Sequence, residues 1–78
     1  MTLSLNESKV LGILEEKGPI NIVDCARLAD LKEGLTGATV RSLVNKGFAV
    51  ENTERKGFSK KSTGTFSISP KGHTQLFD

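Results

Sequence analysis

The sequence predicts a small α+β domain made of three helices, a β-hairpin and a short C-terminal helix. Apolar residues recur at helical spacing through residues 1–46, and the pattern changes to alternation after Gly47. Ser69 and Pro70 then combine an N-cap residue with a proline at the first helical position. Because the chain has only 78 residues, we expect one domain over residues 1–78.

The first helix is predicted from residue 6 to residue 17. Ser4 and Glu7 have the spacing of a capping box, and Asn6 is a competing cap. The Gly18–Pro19 pair ends the helix, because neither residue continues a helical turn easily. Its apolar stripe comprises Val10, Leu11 and Leu14, with Ile13 beside it.

The second helix is predicted to be short, with Asn21 as its cap and Ile20 before it in a very short strand. A helix of about two turns is not stable alone in water, so it must pack against its neighbours. The residues expected to face inward are Ile22, Val23, Cys25, Ala26 and either Leu28 or Ala29.

The third helix is predicted over about 32–46, with Lys32 and Leu35 as alternative starting points. Gly34 and Gly37 leave this start open, because glycine weakens a helix interior by up to ~1 kcal/mol relative to alanine. Gly47 ends the helix. The apolar stripe comprises Val40, Leu43, Val44 and either Thr36 or Leu35, whereas Gly37, Ala38, Arg41, Ser42 and Asn45 fall largely on the other face.

A β-hairpin is predicted after the third helix. Residues 48–54 and 63–69 alternate in the manner of strands, and Phe66 and Ile68 share one face of the second strand. Residues 55–62 are predicted to be a basic connection that contains glycine and serine.

Composition excludes several classes of function. No apolar run approaches the ~18–20 residues of a membrane span, and the N-terminus does not resemble a signal peptide. Cys25 is the only cysteine, so neither an internal disulfide nor a thiolate zinc site can form, and we expect a reduced cytoplasmic protein. His73 is the only histidine, and it is not near Cys25 in sequence, so no histidine beside Cys25 can act as its base. We therefore predict no enzyme, no cofactor and no metal.

Charge is distributed unequally along the chain. Residues 1–30 carry three basic and five acidic residues, a net charge of −2, whereas residues 31–78 carry eight basic and four acidic residues, a net charge of +4. A cationic half is the electrostatic footprint expected of a protein that binds a polyanion. The alternative is a solvated surface that binds no polyanion, which would give the same net charges.

The order of these elements resembles a winged helix-turn-helix domain, and the resemblance covers nearly the whole chain. It rests on Gly18–Ile20 before the second helix, on Cys25–Ala29, and on the passage Val40–Val50 from a helix into a strand. The segment Ser67–Gly72, followed by Leu76, is similar to the exit from the wing in MarR-like regulators. The chain lacks counterparts of the extra dimerisation helices of full MarR proteins.

The resemblance implies binding to double-stranded DNA by a small transcriptional regulator. The third helix would lie in the major groove, with Arg41 bonded to guanine or to a phosphate and Asn45 to adenine or the backbone. The DNA-binding residues implied in and beside this helix are Lys32, Thr36, Gly37, Ala38, Arg41, Ser42, Asn45 and Lys46. An exposed, solvated helix face is the alternative interpretation.

The wing implied by the resemblance is the basic segment 55–62, which would contact the DNA backbone. Its cations are Arg55, Lys56, Lys60 and Lys61. They could instead protect an exposed strand edge from pairing with another chain. Phe58 near the tip either folds back onto the hairpin or marks a surface for a protein partner.

A second interpretation belongs to a different class of function. Winged helices also serve as protein-protein interaction modules, and the acidic first half and Phe58 suit that role. A homodimer through the first or the C-terminal helix is a further alternative. No membrane partner is predicted.

Overall fold

The computed structural model describes residues 3–57 and 59–77, and their side chains except at 55, 56, 59–63 and 77. The elements are α1 (Leu5–Lys17), β1 (Ile20–Asn21), α2 (Ile22–Ala29), α3 (Glu33–Asn45), β2 (Ala49–Lys56), β3 (Ser59–Ile68) and α4 (Pro70–Phe77). The predicted order of helices and strands is confirmed. Among the described residues, no helix is long and apolar enough to cross a membrane.

The capping box at the start of α1 is confirmed. The Ser4 hydroxyl accepts a hydrogen bond from the Glu7 N–H at 3.1 Å, and the Glu7 carboxylate accepts one from the Ser4 N–H at 3.1 Å. These reciprocal bonds satisfy two donors that the first turn leaves unpaired. The helix therefore begins at Leu5, one residue earlier than predicted, and Asn6 is not its cap.

Helix α2 begins after Asn21 as predicted, and the Asn21 side chain accepts the Asp24 N–H at 2.7 Å. Its buried residues are Cys25, Ala26 and Ala29, with Ile22 half-buried on the same face. The prediction that Val23 faces inward is wrong, because its side chain is 47% exposed. On a helix, position 23 lies outside the stripe formed by 22, 25, 26 and 29.

Helix α3 begins at Glu33 after Lys32, which makes no side-chain cap bond. Thr36 rather than Leu35 completes the buried stripe, and Thr39 joins it. Both threonines can be buried because their hydroxyls donate to the carbonyls of Lys32 and Leu35, at 2.9 and 2.8 Å. Gly47 follows the helix with φ of 83°, a left-handed conformation that favours glycine.

The strands form one antiparallel sheet in the order β1-β3-β2. The predicted two-stranded hairpin therefore gains a third strand, because Ile20 and Asn21 pair with Phe66 and Thr65. The prediction of a connection over 55–62 is wrong, since Lys56 pairs directly with Ser59. Gly57 has φ of 62°, which suits the tight turn of a two-residue hairpin loop.

The core lies between α1, α3 and the inner face of the sheet. Its fully buried large side chains include Val10, Leu11, Leu14, Val40 and Leu43, and Phe48 and Ala49 join them from the start of β2.

Ser69 joins α4 to the end of α3. As predicted it caps α4, because its hydroxyl accepts the Gly72 N–H at 3.0 Å. The same hydroxyl donates to the Gly47 carbonyl at 2.6 Å, and the Ser69 N–H donates to the Phe48 carbonyl at 3.0 Å. Ser69 therefore fixes residues 47 and 48, which connect α3 to β2, through one side-chain and one backbone hydrogen bond.

Candidate nucleic-acid interface

The outward face of α3 carries Gly34, Ala38, Arg41 and Asn45, all exposed. These positions lie in line along the helix, opposite the buried stripe that contains Thr36 and Leu43. Burial of the stripe fixes the rotation of α3 about its own axis, so these positions are presented to solvent. Lys32 is exposed immediately before the first turn, and Gly37 is half-buried on one flank.

Three other residues predicted to contact DNA lie elsewhere on α3. Thr36 is fully buried. Ser42 and Lys46 lie on the flank that faces α1, where both contact Glu7. The structure therefore brings Ala38, Arg41 and Asn45 together on one surface and separates them from these three residues.

Glu7 links the first turn of α1 to the last turn of α3. One carboxylate oxygen accepts from the Lys46 ammonium at 2.7 Å and from the Ser42 hydroxyl at 3.0 Å. The side chains of Lys46 and Glu7 are 34% and 11% exposed, so water screens this pair only partly. The Lys46 ammonium is the main cause that lowers the pKa of Glu7 to about 2, and bonds from Ser4 and Ser42 add to it.

The contact of Glu7 with the end of α3 could not be predicted from the sequence. Its partners Ser42 and Lys46 are 35 and 39 residues away along the chain. The capping-box spacing located Glu7 in the first turn of α1, but it carries no signal about the neighbouring helix.

A groove of about 210 Å³ lies at the surface between the outward face of α3 and the sheet. Arg41 and Ala38 line one side of it and Glu51 of β2 lines the other. Ile22 and Phe66 also line it with apolar surface.

The wing cations lie in the two strands of the hairpin rather than in a loop. Arg55 and Lys56 are in β2, and Lys60 and Lys61 are in β3. The side chains of these four residues, and the whole of Phe58, lie outside the described residues.

The two residues considered for catalysis, Cys25 and His73, lie on different helices, α2 and α4. Cys25 is buried in the core, and burial raises the pKa of its thiol, which disfavours the reactive thiolate. The His73 ring nitrogen Nδ1 lies 2.9 Å from the Glu15 carboxylate, where α4 meets α1. This histidine is therefore engaged with α1 at the surface, whereas the thiol lies in the core.

Known structures resemble this one over nearly its whole length. A MarR family transcriptional regulator from Silicibacter pomeroyi is 22% identical, with a TM-score of 0.77 over 92% of this chain and 46% of that chain. The multiple antibiotic-resistance repressor MarR from Listeria monocytogenes is 16% identical, with a TM-score of 0.79 over 96% and 48%. The DNA-binding TubR fragment from Clostridium botulinum is 22% identical, with a TM-score of 0.70 over 99% and 96%.

The chain spans about half the length of the MarR regulators and nearly all of the TubR fragment. No protein-family model and no curated protein sequence matches it. At such low identities the structural similarity establishes the fold alone. The chain is a winged helix-turn-helix domain, in which α2 and α3 form the helix-turn-helix and the β2–β3 hairpin forms the wing.

Proposed function

We propose that this domain binds duplex DNA, with α3 in the major groove and the wing on the sugar-phosphate backbone. The observation that carries the proposal is the outward face of α3, where Arg41 and Asn45 are exposed and aligned while the opposite face is locked in the core. The second helix of a helix-turn-helix is the element that enters the major groove.

Arg41 is the residue proposed to read sequence. Its guanidinium can donate to both O6 and N7 of guanine, which contributes ~1–3 kcal/mol of discrimination. Asn45, one turn further along α3, can bond to the edge of adenine. Gly37 and Ala38 have little or no side chain, so the helix axis can approach the bases closely.

Lys32 and the four wing cations are proposed to contact phosphates, which supplies affinity but no sequence preference. Thr36, Ser42 and Lys46 are left out of the proposed interface. Thr36 is buried, and the other two are bonded to Glu7.

The biological role proposed with this activity is that of a small transcriptional regulator. Similar solved structures are described as MarR family transcriptional regulators and as a DNA-binding fragment. The mechanism needs no catalytic group and no cofactor, since groove readout and charge neutralisation are both binding events.

A protein-binding role is the second candidate, and one surface favours it. The outer face of α2 exposes two large apolar side chains, Val23 at 47% and Leu28 at 51%. Exposed apolar side chains are surface that a protein partner could cover.

Fluorescence anisotropy of a labelled duplex tests the proposal. We expect binding that weakens as salt rises, and Arg41→Ala should lose the preference among sequences. Lys9→Ala on α1 is the matched control, because it removes one exposed positive charge outside the interface. Absence of binding at low salt, or equal effects of the two variants, would refute DNA readout by α3 and favour a protein partner.

A further inference from the structure

The two strands of the wing change their register part of the way along the hairpin. Between the pairs Glu51–Phe66 and Thr53–Ser62, β2 advances by two residues whereas β3 advances by four. Two additional residues of β3 therefore form a bulge, which bends a strand and increases its twist. Beyond the bulge lies the outer half of the wing, residues 53–62, whose backbone pairs are Thr53–Ser62, Glu54–Lys61, Arg55–Lys60 and Lys56–Ser59.

The inner half of the wing is fixed to the body of the domain, whereas the outer half has only its own two strands. Ala49 is buried in the core, and β1 pairs with β3 at Phe66 and Thr65. The pairing with β1 extends no further along β3 than Thr65. Since a two-stranded ribbon is only marginally stable alone, the register of the outer half must be specified close to the bulge.

Asn52 lies at this point, between the last pair of the inner half and the first pair of the outer half. Its side-chain Nδ2 donates to Thr65 Oγ1 at 3.2 Å and to Ser67 Oγ at 2.9 Å. Both acceptors belong to the inner half of β3. Asn52 therefore ties β2 to the inner register up to residue 52, so that the two additional residues of β3 are 63 and 64.

Gly64 provides the backbone conformation that the bulge needs. Its φ is 78°, in the left-handed region that favours glycine. A Cβ added there would meet no atom within 4 Å, so a larger residue is opposed by the backbone conformation alone.

A second register competes with the bulged one. If the inner register continued, Thr53 would lie opposite Gly64, and the turn would grow from residues 57–58 to residues 57–60. Polar strands that contain glycine specify their register only weakly. The bonds of Asn52 and the conformation of Gly64 both favour the bulged register over this alternative.

We propose that Asn52 and Gly64 are positioning residues for DNA binding, because together they select the bulged register and so set the direction of the outer half of the wing relative to α3. This inference rests on the proposed function, in which the wing contacts the DNA backbone. Neither residue has to touch the duplex. The Asn52 side chain lies on the face of β2 opposite that of Glu51, which lines the groove beside α3.

The register can be measured by NMR without DNA. Backbone NOEs between Thr53 and Ser62 report the bulged register, and NOEs between Thr53 and Gly64 report the alternative. We expect the first set in the unaltered protein and the second set in Asn52→Ala and in Gly64→Val, since valine favours a strand and disfavours positive φ. Val50→Ala is the control, because Val50 is exposed on the same face of β2 as Asn52 and should keep the first set.

Fluorescence anisotropy then measures the consequence for binding. The slope of log affinity against log salt changes by ~0.9 for each phosphate contact, and we expect Asn52→Ala to lower it by at least that amount. Val50→Ala should leave the slope unchanged. Thr65→Val/Ser67→Ala should reproduce the effect of Asn52→Ala, and combining the three substitutions should add little, because both variants remove the same two bonds.

Retention of the Thr53–Ser62 NOEs in either Asn52→Ala or Gly64→Val would overturn the selection of register by that residue. A changed register with an unchanged salt slope would overturn the positioning role and leave DNA readout by α3 intact. Failure of the unaltered protein to bind any duplex at low salt would instead refute the proposed function, and the positioning role with it.

Discussion

The last turn of α3 and the outward face of the same helix both carry a cation, but the two cations differ in their surroundings. Lys46 at the end of α3 lies 2.7 Å from the Glu7 carboxylate and shares it with Ser42. Arg41 on the outward face is exposed to solvent. Basic residues that count equally in the sequence are therefore not equally available to a polyanion.

Removing the Glu7 carboxylate of α1, which contacts the end of α3, should have the largest effect on stability. We expect Glu7→Ala to lower the free energy of unfolding by about 2–4 kcal/mol, because it removes the carboxylate that accepts from the Ser4 N–H and leaves Lys46 partly buried without this partner. Urea denaturation measures this change. Glu16→Ala on the same helix is the control, since its ion pair with Lys17 is an exposed contact of 4.0 Å, and we expect a change of less than about 0.5 kcal/mol. Similar losses in the two variants would mean that Glu7 is not an anchor of α3.

The same pair should make stability fall at acid pH. Glu7 has a pKa of about 2 in the folded protein, against an ordinary value of 4.5, so the unfolded chain takes up the proton first. The stabilisation, at most about 3 kcal/mol, is complete above the ordinary value and is lost as pH falls towards the folded value. Urea midpoints measured across this window should fall steeply for the unaltered protein and much less for Glu7→Gln. Parallel curves for the two proteins would contradict the assignment to Glu7.

On the flank of α3 beside its outward face, one substitution should have opposite effects on folding and on binding. An alanine Cβ at Gly37 would meet only a methyl of Ile22 at 3.9 Å, an ordinary contact. Gly37→Ala should therefore stabilise the fold by up to about 1 kcal/mol. It should weaken DNA binding, because the added methyl would lie beside the face of α3 that we propose approaches the duplex.

Gly12→Ala on α1 is the control for this pair of measurements. It too adds a methyl in open space within a helix, and we expect the same gain in stability without a change in DNA affinity. Thermal unfolding and anisotropy together distinguish the two positions. Unchanged affinity for Gly37→Ala would argue against close approach of α3 to the bases.

In the wing, the smallest effect is expected. Replacing the like-charged pair by Arg55→Gln/Lys60→Gln should leave the stability unchanged or raise it by up to about 1 kcal/mol. Glu54→Gln should lower it by about 0.2–1 kcal/mol, because it removes the carboxylate opposite Lys61. Denaturation at low salt measures both changes. A marked loss of stability in the first variant would show that these cations serve the hairpin itself.

Local signals in the sequence predicted most of the fold. The caps Ser4, Asn21 and Ser69 each lie where the pattern indicated, because capping depends on residues three positions apart. The residue at which α3 begins could not be predicted, because Gly34 and Gly37 have weak local preferences for a helix. In the structure the buried hydroxyls of Thr36 and Thr39 bond to carbonyls one turn earlier in the same helix. The wing strands are longer than predicted. Lysine is depleted in strands, so the basic segment indicated a loop. In the structure the turn at Gly57 brings the basic residues of the two strands into register.

The site was predicted less completely than the fold, because some of its contacts join residues that are far apart in the sequence. Helical periodicity separates Arg41 and Asn45 from the core stripe, so their exposure could be predicted. It could not predict that Ser42 and Lys46 meet Glu7, because that contact joins two helices across the fold. Likewise the pairing of Ile20 with Phe66 adds a third strand that no local pattern specifies.

The most direct test of the central claim is a map of amide chemical-shift changes when duplex DNA is added to the labelled protein. We predict that the changes concentrate in α3 around Arg41 and Asn45 and in the outer half of the wing, and that the first turn of α1 around Glu7 changes little. Changes concentrated around Val23 and Leu28 of α2, with α3 unaffected, would contradict the account and identify that surface as the binding site.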